Sequence, residues 1–264
     1  MSQANLAQRL LQAAREQVAL PREQGDGLGL AAGYELQRLG VLVREARHER
    51  LSGWKVAFAG AAAQRRFGLS EPVYGALTDA MAVAEGQTVD LAGLIQPKLE
   101  IELAVVMGQD LNPGFYSDEA LLAAIGEVAA AFEIADCRWQ GWGFEAGAFV
   151  ADNSAAAAYC LSARQPFDAR RHAQVEYRLM HEGHALGCGL SSLGDESPLS
   201  NTCWLIRRLL ADGHRLSAGQ IILSGALLPP IAIEPGCYRL SMLGMELACL
   251  LYTSDAADDM QCVD

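Results

Sequence analysis

The feature that most constrains this chain is a pair of glutamates inside a strongly apolar segment. Glu100 and Glu102 lie within residues 99–107, in which all remaining positions are apolar. Such a segment is typical of a buried strand, where residues two apart point to the same face. Two carboxylates buried side by side both stay ionised only when a cation lies between them. Because hard divalent ions prefer oxygen ligands, the pattern predicts a Mg²⁺ or Mn²⁺ site.

A third carboxylate, Glu133, follows a second apolar segment at residues 128–132. Two interpretations of this residue stay open. It either contributes to the same site or is an acid at a helix end that pairs with an arginine such as Arg138. For Glu100 and Glu102 the alternative is a pair of solvated strand acids, but their apolar surroundings argue against it.

Composition narrows the class of protein. The 264 residues are 51% hydrophobic and 20% charged, which is typical of a globular protein with a sizeable core. The formal net charge is −12 and no basic stripe carries interleaved aromatic residues, so we expect no nucleic-acid partner. No apolar run approaches the roughly 20 residues of a membrane span, and residues 1–5 lack the pattern of a signal peptide. We therefore expect a cytoplasmic protein without a membrane partner.

The periodicity of apolar residues predicts a mixture of helices and strands. Helices are predicted over residues 3–20, 31–47, 61–67, 117–131 and 199–212. Strands are predicted over residues 53–58, 95–107, 175–181, 220–224 and 238–243, with a tight hairpin turn at Glu182-Gly183. Short strands joined by long excursions indicate an α+β fold with a folded-over mixed sheet.

Several short motifs follow one another along the chain. They are Tyr34-Glu35-Leu36-Gln37, Gly53-Trp54-Lys55-Val56, Pro-x-x-Glu-x-Glu at residues 97–102, Glu133-Ile134-Ala135-Asp136, Asp152-Asn153 and Gly219-Gln220-Ile221-Ile222-Leu223-Ser224-Gly225. Together they resemble the fumarylacetoacetate hydrolase superfamily, specifically its hydratase/decarboxylase branch. The resemblance implies the folded-over β-roll of that superfamily, with an N-terminal helical subdomain. It divides the chain into an α/β part at residues 1–88 and a catalytic metal-binding β-roll at residues 89–250.

The resemblance also implies roles for individual residues. Glu100, Glu102 and Glu133 match metal ligands and would hold Mg²⁺ or Mn²⁺. Lys55, supplied by the N-terminal part, matches a residue that binds the substrate carboxylate or an oxyanion; the alternative is a surface lysine whose apolar stem lies on the protein. Asp79 is a candidate acid/base, or a residue that orients Lys55.

Two further segments are candidates for contact with the substrate. Asp152 and Asn153 either place water and hold the substrate or form a buried structural turn. The glycine-flanked aromatic residues at 141–144 fit a loop that lines or covers the site.

With these roles, the resemblance implies a metal-dependent hydro-lyase. Its ligand would be a small 2-oxo or 2-hydroxydienoic acid. A 2-hydroxy-2,4-dienoate would gain water at C4 to give a 4-hydroxy-2-oxo acid, in the catabolism of aromatic compounds. The same site would serve decarboxylation of a 2-oxo-3-ene-dioate of the 4-oxalocrotonate type, with Arg65 and Arg66 as nearby cations for the second carboxylate. Ala57 and Ala59 replace a Gly and a Thr of the family pattern, which leaves open a non-catalytic homologue that binds oxo acids or stabilises an enzyme complex. We also expect a homo-oligomer.

The end of the chain differs in character from the rest. Residues 251–264 contain four aspartates, no basic residue and no periodic pattern. They resemble a translated adapter sequence, so we predict a non-native tail and a folded body that ends at Leu250.

Overall fold

A computed structural model describes residues 3–253 and contains two β-sheets with helices packed around them. In this part of the chain the α-helices are α1 (Gln3–Glu16), α2 (Leu30–Glu45), α3 (Ala61–Phe67), α4 (Asp118–Ala123), α5 (Ala146–Ala151) and α6 (Pro198–Ala211). The strands are β1 (Leu51–Ala57), β2 (Val73–Thr78), β3 (Ala82–Val83), β4 (Thr88–Asp90), β5 (Pro97–Met107), β6 (Ile125–Asp136), β7 (Ala156–Leu161), β8 (Gln165–Pro166), β9 (Glu176–His181), β10 (His184–Leu190), β11 (Ile221–Leu223), β12 (Ile231–Ala232), β13 (Gly236–Met242) and β14 (Met245–Tyr252).

The two sheets share one hydrophobic core. The larger sheet has the strand order β2-β1-β11-β5-β6-β7-β3, with β12 paired to β5 and β8 paired to β6. It is mixed, because β1 runs parallel to β11 and antiparallel to β2. The smaller sheet has the order β10-β9-β13-β14-β4. Phe132 of the larger sheet, Leu179 of the smaller sheet and Ile206 of α6 belong to the same buried cluster. The predicted α+β fold with a folded-over mixed sheet is confirmed.

The centre of the larger sheet corrects one predicted element. The helix predicted over residues 117–131 stops at Ala123, and the chain continues as β6 from Ile125. The run Ala129–Ala131 favours a helix locally, but its backbone groups pair with β5 and β7 instead. Nearly all of β6 is buried on both faces, so it lacks the alternation by which a strand is recognised from sequence.

The other predicted elements are present, with ends that differ by up to four residues. The largest difference is in α1, which ends at Glu16. The predicted hairpin turn joins β9 to β10. Its residues Glu182 and Gly183 have φ of 46° and 78°, the left-handed pair that a two-residue hairpin requires.

The N-terminal helices pack beside the larger sheet rather than on a sheet of their own. Helix α2 contacts α1 and α5, and the cluster between them contains Leu10, Leu36 and Trp139. Strands β1 and β2 belong to the same sheet as β5 and β6. The division of the chain at residue 88 stays a prediction. Among residues 3–253, no helix is both long enough and apolar enough to span a bilayer.

The last described strand extends the folded body beyond the predicted end. Leu251 and Tyr252 are buried at the end of β14 and pair with Val89 and Asp90 of β4. The predicted end at Leu250 is therefore two residues too early, because the alternation of buried residues in β14 continues through Leu251. Residues 254–264 lie outside the described part of the chain.

A chain that ends at Leu250 should be less stable than one that ends at Thr253. The shorter chain loses two buried side chains, each of which contributes roughly 2 kcal/mol. For a domain of this size the loss corresponds to a fall in Tm of about 10 °C. Calorimetry of the two truncated proteins measures it, and equal melting temperatures would show that the end of β14 adds nothing to stability.

Candidate active site

Glu100, Glu102 and Glu133 meet on one face of the larger sheet. In the antiparallel pairing of β5 with β6, Glu100 lies directly opposite Glu133, and Glu102 lies two residues further along the same face. One carboxylate oxygen from each lies within 4.8 Å of the others. Glu102 and Glu133 are fully buried, whereas Glu100 is half-buried and lines a cavity. The carboxylates come together as predicted, and Glu133 extends from a strand rather than a helix end.

Lys55 reaches the cluster because the sheet curls. Strands β1, β11, β5 and β6 are successive neighbours, so in a flat sheet β1 and β6 would be about 14 Å apart. The Nζ atom of Lys55 nevertheless lies 2.8 Å from Oε1 of Glu133. The lysine is 1% exposed. It is therefore a buried partner of the carboxylates and not the surface lysine of the alternative interpretation.

Two backbone groups complete the arrangement. The carbonyl of Ser154 accepts a hydrogen bond from Lys55 Nζ at 3.1 Å. The N–H of Gly225 donates to Oε2 of Glu102 at 2.6 Å. The sequence predicted neither contact, although Gly225 ends one of the family motifs. Because peptide groups are present at every position, no pattern of residue types could have indicated these contacts.

Burial makes the charge of this cluster costly. Burial raises the pKa of Glu100 to about 7, against the opposing effect of Lys55. Burial and the two neighbouring carboxylates raise the pKa of Glu102 well above its usual value. Burial would lower the pKa of Lys55, but the carboxylates, Glu133 foremost, outweigh it and raise that pKa. Three carboxylates against one ammonium leave two uncompensated negative charges when all are ionised.

The cluster fits a divalent cation. Oε1 of Glu102 and Oε2 of Glu133 are buried without a hydrogen-bond partner among the described residues. Such buried acceptors are unfavourable unless a cation or donor meets them. The donor set is entirely carboxylate oxygen, which suits a hard divalent ion. Glu100, Glu102 and Glu133 are the residues that would hold it.

A cavity of about 600 Å³ opens over Lys55 and Glu100. Part of its wall is a series of aromatic rings in contact, with centroids 4.3–6.0 Å apart. The rings belong to Phe58, Phe67, Phe149, Phe144 and Trp142. The last two come from the loop predicted to line or cover the site. Ala57 and Ala59 also line the cavity.

Two further cations line the same cavity. Lys98 lies two residues before Glu100 on the same strand face, and its Nζ is 4.4 Å from the ring centroid of Trp142. The guanidinium carbon of Arg66 lies 5.5 Å from the ring centroid of Phe67. The chain contains only two lysines, Lys55 and Lys98, and both line this cavity.

Asp79 is not brought to the site. Its carboxylate accepts hydrogen bonds from the backbone N–H and Nε of Arg50, both at 2.8 Å, and these bonds lower the pKa of Asp79. Lys55 lies opposite Gly75 in the pairing of β1 with β2. Asp79 is four residues further along, roughly 13 Å away at strand spacing. This geometry makes Asp79 part of an exposed ion pair and does not support its role as acid/base or as orienter of Lys55.

Asp152 and Asn153 lie in a buried turn behind the cavity wall. Asp152 accepts a hydrogen bond from the backbone N–H of Arg138 at 2.8 Å and forms an ion pair with its guanidinium. Asn153 pairs with both the N–H and the carbonyl of Ala76, each at 2.8 Å. The geometry favours the structural-turn alternative. The next residue, Ser154, is the one that faces Lys55.

Known proteins provide an independent comparison. The chain is 32% identical to 2-keto-4-pentenoate hydratase of Burkholderia vietnamiensis (strain G4 / LMG 22486) over 251 residues, 92% of this chain and 94% of that protein. It is 32% identical to 4-oxalocrotonate decarboxylase of Pseudomonas sp over 239 residues, 89% of this chain and 92% of that protein. The solved structure of 4-oxalocrotonate decarboxylase from Pseudomonas putida G7, complexed with magnesium and adipate, superposes with a TM-score of 0.87 at 23% identity, over 94% of this chain and 97% of that one. No protein-family model matches the sequence.

The folded-over sheet therefore has the same fold as that solved structure. The extent and identity of the sequence matches show that the chain belongs to the hydratase/decarboxylase branch of the fumarylacetoacetate hydrolase superfamily. The family predicted from the motifs is confirmed.

Replacing Glu102 with Gln should weaken binding of Mg²⁺ and Mn²⁺ by roughly two orders of magnitude, because affinity follows the number of charged ligands. The metal-free variant should melt no lower than metal-free wild type, since one of three repelling buried carboxylates is gone. Thermal melts with EDTA and with added Mg²⁺ measure both effects. Glu127→Gln, a change at a partly exposed carboxylate on the neighbouring strand β6, serves as the control. Undiminished metal stabilisation of the Glu102→Gln protein would contradict the ligand assignment.

Replacing Asp152 with Asn should lower the free energy of unfolding by about 3 kcal/mol, because it leaves the buried guanidinium of Arg138 unpaired. The KM of the folded enzyme should change less than twofold.

Asp79→Asn should change stability by less than about 1 kcal/mol and leave kcat unchanged, since its ion pair is exposed. Urea unfolding and steady-state kinetics measure these effects. A large fall in kcat for Asp79→Asn would restore its acid/base role.

Proposed function

We propose that this protein is a divalent-metal-dependent hydratase. It adds water to a 2-hydroxy-2,4-dienoate and forms a 4-hydroxy-2-oxo acid, in the breakdown of ring-cleavage products of aromatic compounds. The observation that carries the proposal is the buried set of three carboxylates paired with Lys55 at the floor of an apolar cavity. The relative named 2-keto-4-pentenoate hydratase, which matches nine-tenths of the chain, supports it.

The reaction combines two proton movements with the addition of water. The 2-hydroxyl proton is lost and C5 gains a proton, which gives a 2-oxo-3-ene acid. Water then adds its oxygen at C4 and a proton at C3. Both steps develop negative charge on the C2 oxygen, so the enzyme must stabilise charge at that end of the substrate.

The chain's own residues provide much of this stabilisation. Glu100, Glu102 and Glu133 would hold Mg²⁺ or Mn²⁺, which as a Lewis acid stabilises enolate charge. Lys55 contributes an ammonium fixed between Glu133 and the Ser154 carbonyl. An ammonium has three N–H donors, and these two contacts leave one for the C2 oxygen or the carboxylate of a substrate in the cavity.

The aromatic wall acts on the rest of the substrate. Phe58, Phe149 and Phe144 pack against one another beside the carboxylates and contact the carbon chain of a bound diene. An apolar wall excludes water from the C2 end, and the lower dielectric strengthens the attraction between Lys55 and the developing charge.

Activity should require both the metal and the ammonium. A panel of 2-hydroxydienoates is followed by ultraviolet absorbance with the purified protein, with EDTA, and after addition of Mg²⁺ or Mn²⁺. EDTA should abolish turnover and either ion should restore it. Turnover by metal-free protein would overturn the proposed chemistry, and no turnover of any member would favour the non-catalytic alternative.

Replacing Lys55 with Met should lower kcat by roughly a hundredfold or more, the scale of losing one oxyanion donor. Metal affinity should change little. A rise in KM at constant kcat would instead indicate that Lys55 holds the substrate carboxylate equally in the ground and transition states. Wild-type kcat and KM would remove Lys55 from the mechanism.

A second candidate function is decarboxylation of a 2-oxo-3-ene-dioate. The observation that favours it is the presence of Lys98 and Arg66 in the cavity wall. The three negative charges of the carboxylates would be balanced by Lys55 and a divalent ion. Lys98 and Arg66 are therefore available for a substrate with two anionic ends. The relative named 4-oxalocrotonate decarboxylase supports this candidate too.

The two candidates differ in what Lys98 does. Lys98→Met should raise the KM for a dioate by roughly tenfold, the scale of one charge-assisted hydrogen bond, and leave the KM for a monocarboxylic dienoate nearly unchanged. Release of CO₂ distinguishes the reactions directly. Equal effects of the substitution on both substrates would count against a distal carboxylate site at Lys98.

A further inference from the structure

The residues that hold Lys55 from behind have an unusual backbone. Asn153, Ser154 and Ala155 have φ of 52°, 51° and 59°, so three successive residues other than glycine adopt the left-handed conformation. Asparagine tolerates this region, but serine and alanine adopt it at a steric cost. Such strain persists only where surrounding contacts enforce it, and it is concentrated at functional sites.

Side-chain hydrogen bonds to β2 enforce this conformation. The amide of Asn153 accepts from the N–H of Ala76 and donates to its carbonyl, both at 2.8 Å. The hydroxyl of Ser154 donates to the carbonyl of Tyr74 at 2.7 Å. The turn is therefore attached to two residues of β2, the strand that pairs with the Lys55 strand.

Gly75, between those two anchor points, allows the turn to come close. It lies directly opposite Lys55 in the β1–β2 pairing. A Cβ at this position would lie 2.6 Å from the carbonyl oxygen of Asn153 and 3.2 Å from Cβ of Ser154. Any larger residue would push the turn away from the sheet at the point where it faces the lysine.

The attachment of the turn to β2 fixes the position of the Ser154 carbonyl. The Ser154 carbonyl oxygen lies 3.1 Å from Lys55 Nζ, and Oε1 of Glu133 lies 2.8 Å from the same nitrogen. With both contacts in place the buried ammonium has a fixed direction. With Glu133 alone, a flexible four-carbon side chain would rotate about one contact.

We propose that Asn153 is a positioning residue for Lys55. Its amide holds the left-handed turn against β2, so that the Ser154 carbonyl fixes the ammonium toward the cavity, and Gly75 provides the space this requires. The proposal rests on the proposed function only in that Lys55 acts on the substrate. Asn153 itself does not line the cavity and acts through Ser154, which does.

The two lysines of the chain make a direct test possible. Protein labelled with ¹³C and ¹⁵N at lysine gives two sets of side-chain resonances, and Lys98→Arg identifies the Lys55 set by elimination. In wild type the Lys55 ammonium protons should exchange slowly with water, because the group is buried and held by fixed acceptors. This readout needs no substrate.

The test variant is Asn153→Gly, because glycine keeps the left-handed backbone available while the amide is lost. The Lys55 signal should broaden or shift, and kcat should fall roughly ten- to a hundredfold, the scale of misplacing a catalytic group by about 1 Å. The affinity for Mg²⁺, measured by calorimetry, should stay within twofold. Gly75→Ala should have the same effects by displacing the turn while leaving every side-chain hydrogen-bonding group intact.

The matched control is Ser191→Ala. Ser191 is a buried hydroxyl that accepts from the N–H of Val175 next to the smaller sheet, so its loss lowers Tm without touching Lys55. Its Lys55 signal and kcat should be those of wild type. An unchanged Lys55 signal in Asn153→Gly and Gly75→Ala would overturn the proposal, and so would a loss of metal affinity equal to the loss of kcat. If no dienoate is turned over, the proposed function fails, while the lysine signal still decides the role of Asn153.

Discussion

The burial of three carboxylates against a single ammonium is the constraint on which the rest of this structure depends. Glu102 and Glu133 are fully buried, and Glu100 is half-buried in the wall of the cavity. Such a cluster is stable only in a rigid frame and with a cation that offsets its negative charge. The frame is the long β5–β6 ladder, whose register sets Glu100 opposite Glu133 and leaves no freedom to separate the charges.

The two ends of the site are held by different means. The carboxylate end depends on side chains in a regular ladder, with one backbone N–H from Gly225 fixing an oxygen of Glu102. The ammonium end depends on the carbonyl of Ser154, which lies in an irregular turn. The buried ion pair of Arg138 with Asp152 connects this turn to the end of β6, because the guanidinium also donates to the carbonyls of Asp136 and Asp152. The turn is thus tied to two of the three strands that carry the charged groups, to β1 through β2 and to β6 through Arg138.

Features that depend on residues close together in the sequence were predicted more accurately than features that depend on pairing between distant strands. The strand that carries Glu100 and Glu102 was predictable because an apolar segment indicates a buried strand, in which paired carboxylates call for a cation. The third carboxylate was found through the family motif. The helix predicted just before it was wrong from residue 125 onward, because the small apolar residues of β6 favour a helix unless neighbouring strands pair with their backbone groups. Asp79 was assigned to the site through the family resemblance, but it lies just past the end of β2, roughly 13 Å along from the position opposite Lys55, and pairs with Arg50.

By itself the sequence determined the family, the carboxylate chemistry and the preference for a hard divalent ion, because these follow from residue types at short spacing. The tertiary structure alone decided which groups meet Lys55. Curling of the sheet brings β1 to β6, and a left-handed turn presents the Ser154 carbonyl. The tertiary structure also places Lys55, Lys98 and Arg66 around one cavity with an aromatic wall. Contacts between distant strands and through peptide groups leave no trace in residue pattern, because they depend on how the whole sheet curls and on groups that every residue carries.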